Sequence, residues 1–446
     1  MRALQYAITI LLLGTLASSC KKDNENDGAK ATADVRDSVY LYSKTYYLWN
    51  DRLPSLASFN PTSYDSPEAV MEKVRTYSPL GTNGKNLDRW SFAMTKEKWD
   101  EVASGASGDL GISFGFVAAN DLRVAFVYKN SDPGKQGVQR GWQITSVDGI
   151  TANTANIDAL SKALFKESMQ VAFKKPDGTT QTLTLKVTSY QTNPVLTRTI
   201  ISQNGKKVGY IAFSSFLGAT ASAELDEAFA YFKANSVTDL IFDERYNGGG
   251  QVVLAEKIAD LIVPRSAAGK LMYKDQHNQT LSKYSGYNTS ENFSNPLPTN
   301  NLNLSQVVFI TTGETASASE LLINVLKPYM TVKLVGETTY GKPAGYYPLP
   351  VMNYYAFPLA VKQVNASNYG EYYEGLPVDR QQADDVTRNW GDPQELCIKD
   401  ALSFITTGQF PASSGRLANF NPYAIRAHQV VDLPGVLLRK PNTPKL

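Results

Sequence analysis

The spacing of apolar and polar positions divides the chain into regions of different rhythm. From about Asp34 to Val102 apolar residues recur at helical intervals, and in VRDSVYLYSKTYYLWN the side chains Val35, Val39, Tyr42, Tyr46 and Trp49 fall on one face. Ser66-Pro67-Glu68 marks a second helix start, with serine as cap and proline in the first turn. Asp88 to Thr95 leads into a third helix, and packing rather than chemistry is the reading this region supports. Ser104-Gly-Ala-Ser-Gly108 reads as a linker. From there to Tyr190 the chain breaks into short apolar runs, LGISFGFV, LRVAFVY, WQITSVDG, MQVAFKK and TQTLTLKVTSY, with one helical stretch, ANIDALSKALF, among them. That pattern predicts a compact β domain.

After Pro194 strand and helix patterns alternate, as an α/β layer requires. Val208–Phe213 and Asp239–Asp243 read as strands, and ASAELDEAFAYFKANS and VVLAEKIADLI as helices. Residues 270–305 read as a long polar loop of the kind that lines a substrate entrance. The densest pattern is VVFITTGETASASELLINVLKPYMTVKLVGETTYGKPAG, from Val307 to Gly345: strand, helix stopping near Pro328, strand, loop. A helix rises about 1.5 Å per residue and a strand about 3.3 Å, so the short strand undoes the helix and the chain returns to the edge it left. Ser317 at the helix start and Lys342, 25 positions later, then become neighbours. A serine nucleophile with a lysine base needs that juxtaposition. The same residues also have a structural reading, in which Ser317-Ala-Ser-Glu320 is a capping box and Lys342 a surface lysine.

Two glycine-bearing stretches divide differently. Glu244-Arg-Tyr-Asn-Gly-Gly-Gly250 lies between a strand and a helix, where it either presents N–H groups to an oxyanion or forms a turn needing positive φ. Gly336-Glu-Thr-Thr-Tyr-Gly341-Lys342 follows a phosphate-binding loop up to the position of the magnesium-ligating hydroxyl, where Pro343 stands. Nucleotide binding is thereby rejected.

Composition narrows the chemistry further. At 446 residues the chain is long enough for two or three domains, and 42% apolar with 19% charged content marks a folded body. A formal net charge of +2 gives no sign of a nucleic-acid partner. With only His277 and His428, a Ser-His-Asp triad or a histidine-rich metal site is not expected, nor is any cofactor. Cys20 and Cys397 are the two cysteines, so there is no disulfide framework. Arg2, the apolar run Ala7 to Leu16 and the small residues Ala17-Ser18-Ser19 precede Cys20. The run is too short to span a bilayer and reads as a signal peptide, residues 1–19. It resembles a bacterial lipoprotein signal, which implies lipidation at Cys20, a charged tether over 20–33, and an exported protein anchored in the cell envelope at the outer membrane, on its periplasmic or surface side.

The β region resembles a PDZ domain. Leu110-Gly111-Ile112-Ser113-Phe114 falls at that family's carboxylate-binding loop, and Ser131-Asp-Pro-Gly with Gly141 to Gly149 at its later signature, departing at Gly134 and Trp142. Such a domain takes a peptide by strand addition and holds its terminal carboxylate on backbone N–H groups. From roughly Asp88 to Phe404 the chain as a whole resembles the C-terminal processing peptidases, the tail-specific serine peptidases with a tricorn-type core. The likeness rests on Asp88-Arg-Trp-Ser-Phe, Tyr210 to Phe216, Asp243-Glu-Arg-Tyr-Asn-Gly-Gly-Gly250, Thr315-Ala-Ser-Ala-Ser-Glu320 and Gly336 to Lys342, in that order around the β region.

This resemblance implies a multidomain α/β protein: an N-terminal helical segment over 34–103, a PDZ-like β domain over 105–190, a ClpP/crotonase-like peptidase core over 195–410 and a tail over 411–446. It makes Ser317 the nucleophile, Lys342 the general base, the N–H groups of Ala318 and Gly249 the oxyanion hole, and Arg245 a brace for its loop. Where the family places a glutamine four residues past the lysine this chain has Tyr346, and Pro343 follows the lysine. Either the Tyr346 hydroxyl orients the amine or the site is impaired. The implied function is a serine endopeptidase with a Ser/Lys dyad, cleaving unfolded polypeptides or polypeptides recognised through their C-termini in the cell envelope. The alternative is a catalytically impaired, peptide-binding lipoprotein on the same scaffold. An acyl-CoA enzyme on the related crotonase fold suits the core but neither the PDZ-like segment nor the Ser/Lys motifs.

Overall fold

The computed structural model describes residues 34–164 and 166–412. The expected signal peptide, Cys20, the tether, His428 and all of the tail beyond residue 412 lie outside the described residues.

The core is a six-stranded sheet in the order Val195–Gln203, Lys206–Phe213, Asp239–Asp243, Gln306–Thr311, Thr331–Gly336 and Arg380–Gln381. The first pair is antiparallel and every later pair parallel. Parallel strands need crossovers, and the helices Ala221–Ala234, Val252–Ile262 and Ala318–Leu326 join the cluster on one face through Phe229, Ile258 and Leu322. The helix Leu396–Thr407 covers the other face, setting Ile398, Ala401 and Leu402 against Tyr210, Ile241 and Val308. Burying each of these large side chains contributes about 1.5–3 kcal/mol. Strand register then fixes the functional edge. Asp243 lies beside Ile310, and Ile310 beside Val335, so the loops that carry Gly249, Ser317 and Lys342 all leave the same end of adjacent strands.

The β domain is an antiparallel sheet ordered Ile112–Ala118, Asp121–Val127, Gln143–Val147, Ser168–Lys174 and Thr180–Lys186, with the helix Ile157–Leu164 and a core of its own. The presumed linker is structured. Ser104 closes the helix Lys96–Ser104, Gly105 caps it at φ +68°, and Ala106–Asp109 pairs antiparallel with Thr188–Gln191. Backbone pairing needs no bulky side chain, which is why a Gly/Ser stretch conceals a strand. Residues 270–305 likewise contain the strands Leu271–Gln276 and Ser290–Asn292, in a four-stranded sheet with Leu359–Asn365 and Ala344–Tyr346. Polar residues at its exposed positions mask that alternation.

The N-terminal helix Val35–Tyr46 buries Val39, Tyr40, Ser43 and Tyr46. Trp49 lies beyond its end, so the buried face differs from the one the spacing suggested. Ser66 caps the helix Pro67–Arg75 by accepting the Ala69 N–H, with Pro67 in its first turn. Phe92–Thr95, expected only as a lead into a helix, is a strand paired with Tyr354–Phe357. The N-terminal segment therefore shares one apolar core with residues 344–361, directly behind Lys342. Among the described residues no helix is long and apolar enough to cross a membrane.

Candidate active site

Ser317 stands at the start of the helix Ala318–Leu326 with φ +61° and ψ −112°, a backbone conformation that side chains rarely adopt. Its neighbours over-determine it. Asn247 O accepts the Ala316 N–H at 3.1 Å and the Ser319 hydroxyl at 3.1 Å, and Glu320 Oε2 accepts the Ser317 N–H at 2.9 Å. The turn is thus held sharp, and the Oγ of Ser317 is buried without a hydrogen-bond partner. A nucleophile presented on a strained turn at a helix start has this geometry.

Glu320 does more than cap. Its Oε2 also accepts the Lys342 N–H at 2.8 Å, while Oε1 accepts the Gly341 N–H at 2.7 Å and the Thr339 hydroxyl at 2.5 Å. Four donors converge on one fully buried carboxyl group. Burial raises its pKa, and these hydrogen bonds oppose the rise. The carboxylate is therefore a clasp that joins the serine turn to the lysine loop.

Lys342 is 1% exposed. Burial drives its amine well below the ordinary lysine range, opposed by the negative charges of Asp88 and Glu320. The amine lies 3.8 Å from the centre of the Tyr346 ring. The Tyr346 hydroxyl donates to Trp90 O at 2.7 Å, so the tyrosine presents its ring to the lysine and its O–H proton to the N-terminal segment. This differs from the hydroxyl contact anticipated above, because the Trp90 carbonyl needs a donor in the buried wall. Asp88 accepts the N–H groups of Trp90 and Ser91, each at 2.9 Å, and the Ser91 hydroxyl at 2.6 Å, which fixes the segment that carries this wall. The sequence pattern supports no chemical role for Asp88 and Trp90 beyond packing and a place in the family likeness. The match of Asp88-Arg-Trp-Ser-Phe to the family segment was the signal that could have promoted them.

Gly249 packs against the serine turn: a β-carbon there would fall 2.9 Å from Ala318 N and from Ser317 Cβ. Only glycine fits, at φ +99°. Its N–H donates to Asn247 Oδ1 at 2.9 Å, so this expected oxyanion donor is engaged within its own loop. Ala318 is the first residue of the helix, where N–H groups have no partner within the helix.

Behind the loop, Arg245 forms ion pairs with Asp243, Asp384 and Glu395, all buried. Asp384 Oδ1 also accepts from Arg140 of the β domain at 2.5 Å, and Arg140 donates to Tyr246 Oη at 3.0 Å. Through these pairs Arg245 braces its loop. Next to Arg245 in sequence is Glu244, fully buried, with neither carboxyl oxygen hydrogen-bonded. Burial, then Asp243 and Glu320, push its pKa well above the usual range.

In the β domain Leu110, Ile112 and Phe114 are buried and Ser113 is half-buried, while the Gly111 N–H donates to Asp109 Oδ1 at 2.7 Å. Cys397 is buried and unpaired. Among the described residues no cluster of three or more His, Cys, Asp or Glu side chains is arranged to hold a metal.

The core is thus a ClpP-like α/β fold whose one edge gathers a strained serine, a carboxylate clasp and a buried lysine. Residues 207–380 match the model of peptidase family S41, and this domain belongs to that family. The carboxyl-terminal-processing protease of Synechocystis sp. is 29% identical over 284 residues, covering 61% of this chain and 62% of that protein. The chloroplastic carboxyl-terminal-processing peptidase 2 of Arabidopsis thaliana is 29% identical over 290 residues, covering 62% of this chain and 54% of its own length. The match therefore spans less than two thirds of these relatives. A solved putative S41 protease from Bacteroides fragilis superposes with a TM-score of 0.69 at 22% identity, over 83% of this chain and 97% of that one, which shows a shared fold.

Proposed function

We propose that the chain is a serine endopeptidase acting on polypeptides through Ser317 and Lys342. The observation that carries this reading is that one buried carboxylate, Glu320, grips the backbones of both residues while burial drives the Lys342 amine well below the ordinary lysine range. A neutral amine can take the Ser317 proton as Oγ attacks the scissile carbonyl. The carbonyl oxygen then carries the negative charge and finds the Ala318 N–H at the helix start. As the tetrahedral adduct collapses, the C–N bond breaks and the lysine returns its proton to the leaving amine. Water, deprotonated by the same lysine, then releases the acyl group from the serine. Export and lipid anchoring at Cys20 belong to this reading on sequence alone.

Hydrolysis of casein by wild type, Ser317→Ala and Lys342→Arg tests the assignment. Arginine keeps its charge near neutral pH and cannot serve as base, so both variants are expected to be inactive while remaining folded. Substantial turnover in Lys342→Arg would falsify the Ser/Lys mechanism. One observation favours the second reading, peptide capture without hydrolysis: the Gly249 N–H is donated to Asn247, leaving the oxyanion site a donor short until that peptide turns. Unchanged casein in the wild-type reaction supports that reading instead.

A further inference from the structure

We infer that the β domain receives a polypeptide segment along its Ile112–Ala118 edge without reading a terminal carboxylate, because the Asp109 carboxylate already sits in the loop that would bind one and takes its Gly111 N–H. The inference deepens the proposed function, whose substrates are polypeptides, and concerns how they are captured. Ile112–Ala118 is the outer strand of its sheet and pairs with Asp121–Val127 alone among the described strands. No described strand pairs with its other edge, the arrangement that strand addition uses. In such docking the peptide's C-terminal end would meet the loop at Leu110–Gly111, whose N–H groups would have to hold the carboxylate.

The chain supplies its own carboxylate there. Asp109 Oδ1 accepts the Gly111 N–H at 2.7 Å and the Tyr190 hydroxyl at 2.6 Å, and Oδ2 accepts the Ser107 hydroxyl. Ser107 and Tyr190 lie opposite one another on paired strands, so two rigid donors hold the acid in place. The loop is closely packed. Gly111 sits at φ +68°, and a β-carbon there would fall 2.2 Å from Ser131 Cβ and 2.9 Å from Tyr190 Oη. Its carbonyl is fixed as well, accepting the Tyr128 N–H at 2.9 Å. A second carboxylate seeking the same N–H would meet a like charge within hydrogen-bonding distance and find the donor taken. A segment that continues past Gly111, or one whose terminus is neutral, meets neither obstacle. The loop that resembles a carboxylate cradle thus points to internal or unfolded stretches of a substrate rather than its free end.

The test uses the full chain carrying Ser317→Ala and a fluorescein-labelled decapeptide with three apolar C-terminal residues, prepared as free acid and as amide and titrated by anisotropy. The two forms are expected to bind within about twofold of each other, since no charge-assisted contact distinguishes them. Asp109→Asn keeps the acceptor for Gly111 and removes the charge, and should tighten the acid form by about three- to fivefold. Asp109→Ala frees the N–H as well and should favour acid over amide by about tenfold. If the alanine variant fails to fold, the asparagine variant decides. Acid binding about tenfold tighter than amide in the Asp109 background overturns the inference. Failure of either peptide to bind, or an acid/amide ratio unmoved by both Asp109 variants, overturns it too. Casein hydrolysis by the wild type, lost in Ser317→Ala, reports separately on the peptidase assignment.

Discussion

The amine of Lys342 faces the ring of Tyr346 at 3.8 Å, while the tyrosine hydroxyl reaches away to Trp90. The ring therefore holds the lysine, and the hydroxyl holds the ring. Tyr346→Phe should keep most of the peptide turnover but lose about 1–3 kcal/mol of stability, since the buried Trp90 carbonyl loses its donor. Tyr346→Leu removes the flat wall and should lower kcat/KM by about tenfold or more. Kinetics and thermal unfolding of the two variants separate these effects, and a phenylalanine variant as inactive as Lys342→Ala would contradict the assignment to the ring.

Replacing the lysine itself should stabilise the protein. Its folded pKa is depressed, so between that pKa and the ordinary lysine value the unfolded chain binds a proton at this position that the folded chain lacks. The penalty on folding is full below the depressed pKa and fades as pH rises from there to the ordinary value near 10.4. Lys342→Met should therefore be inactive yet more stable near neutrality, by about 1–4 kcal/mol. The gap should close by about 1.4 kcal/mol per pH unit through that window. Melting curves of both proteins from neutral to alkaline pH give the answer, and a constant gap would contradict the shift. In the same way, wild-type activity should rise with pH along a limb set by loss of the lysine proton.

Glu244 carries the opposite sign. Its folded pKa is raised, so above the ordinary glutamate value of about 4.3 the unfolded chain is ionised while the folded chain holds the proton. Stability contributed here is complete below that value and is lost as pH rises toward the folded pKa. Glu244→Leu should be more stable than wild type by a margin that widens upward from about pH 4. Denaturant unfolding at a series of pH values measures that margin, and one that narrows as pH rises counts against the buried neutral acid.

Glu320→Gln puts an amide among four converging donors. The amide nitrogen would meet N–H or O–H groups where an acceptor stood, so one side of the clasp must open. We expect kcat/KM to fall by about 100-fold through misplacement of serine against lysine. Stability should fall by about 1.5–3 kcal/mol per lost charge-assisted bond. Turnover close to wild type would show that the two loops hold their places without it.

The core strands and the crossover helices were legible because their apolar periods are uninterrupted: Asp239–Asp243, Val252–Ile262 and Thr331–Gly336 have the bounds the pattern gives. The strands at Ala106–Asp109 and Leu271–Gln276 were not, since polar and small residues carry no period when pairing is through backbone alone. At the site, Ser317 and Lys342 were visible as motifs, and Glu320 was visible as a cap. Its hold on Gly341 and Lys342 could not be read, because that contact depends on how the returning strand aligns in three dimensions. The engagement of Gly249 by Asn247 and of Gly111 by Asp109 was hidden for the same reason. A sequence names the donors but not which acceptor reaches them first.

Asp384 makes the domain boundary discontinuous. One carboxylate oxygen serves Arg140 of the β domain and Arg245 of the core, both nearly excluded from solvent. Small rotations of the β domain cannot be accommodated by stretching such contacts, because a guanidinium drawn away from its acid inside the protein has no water to replace it. The orientation of the two bodies is held as by a detent. Turning the β domain would require Arg140 to leave the cluster as a whole and to give up its donation to the Arg388 carbonyl as well. Arg245 would keep Asp243 and Glu395, so the serine-bearing core would survive the release intact.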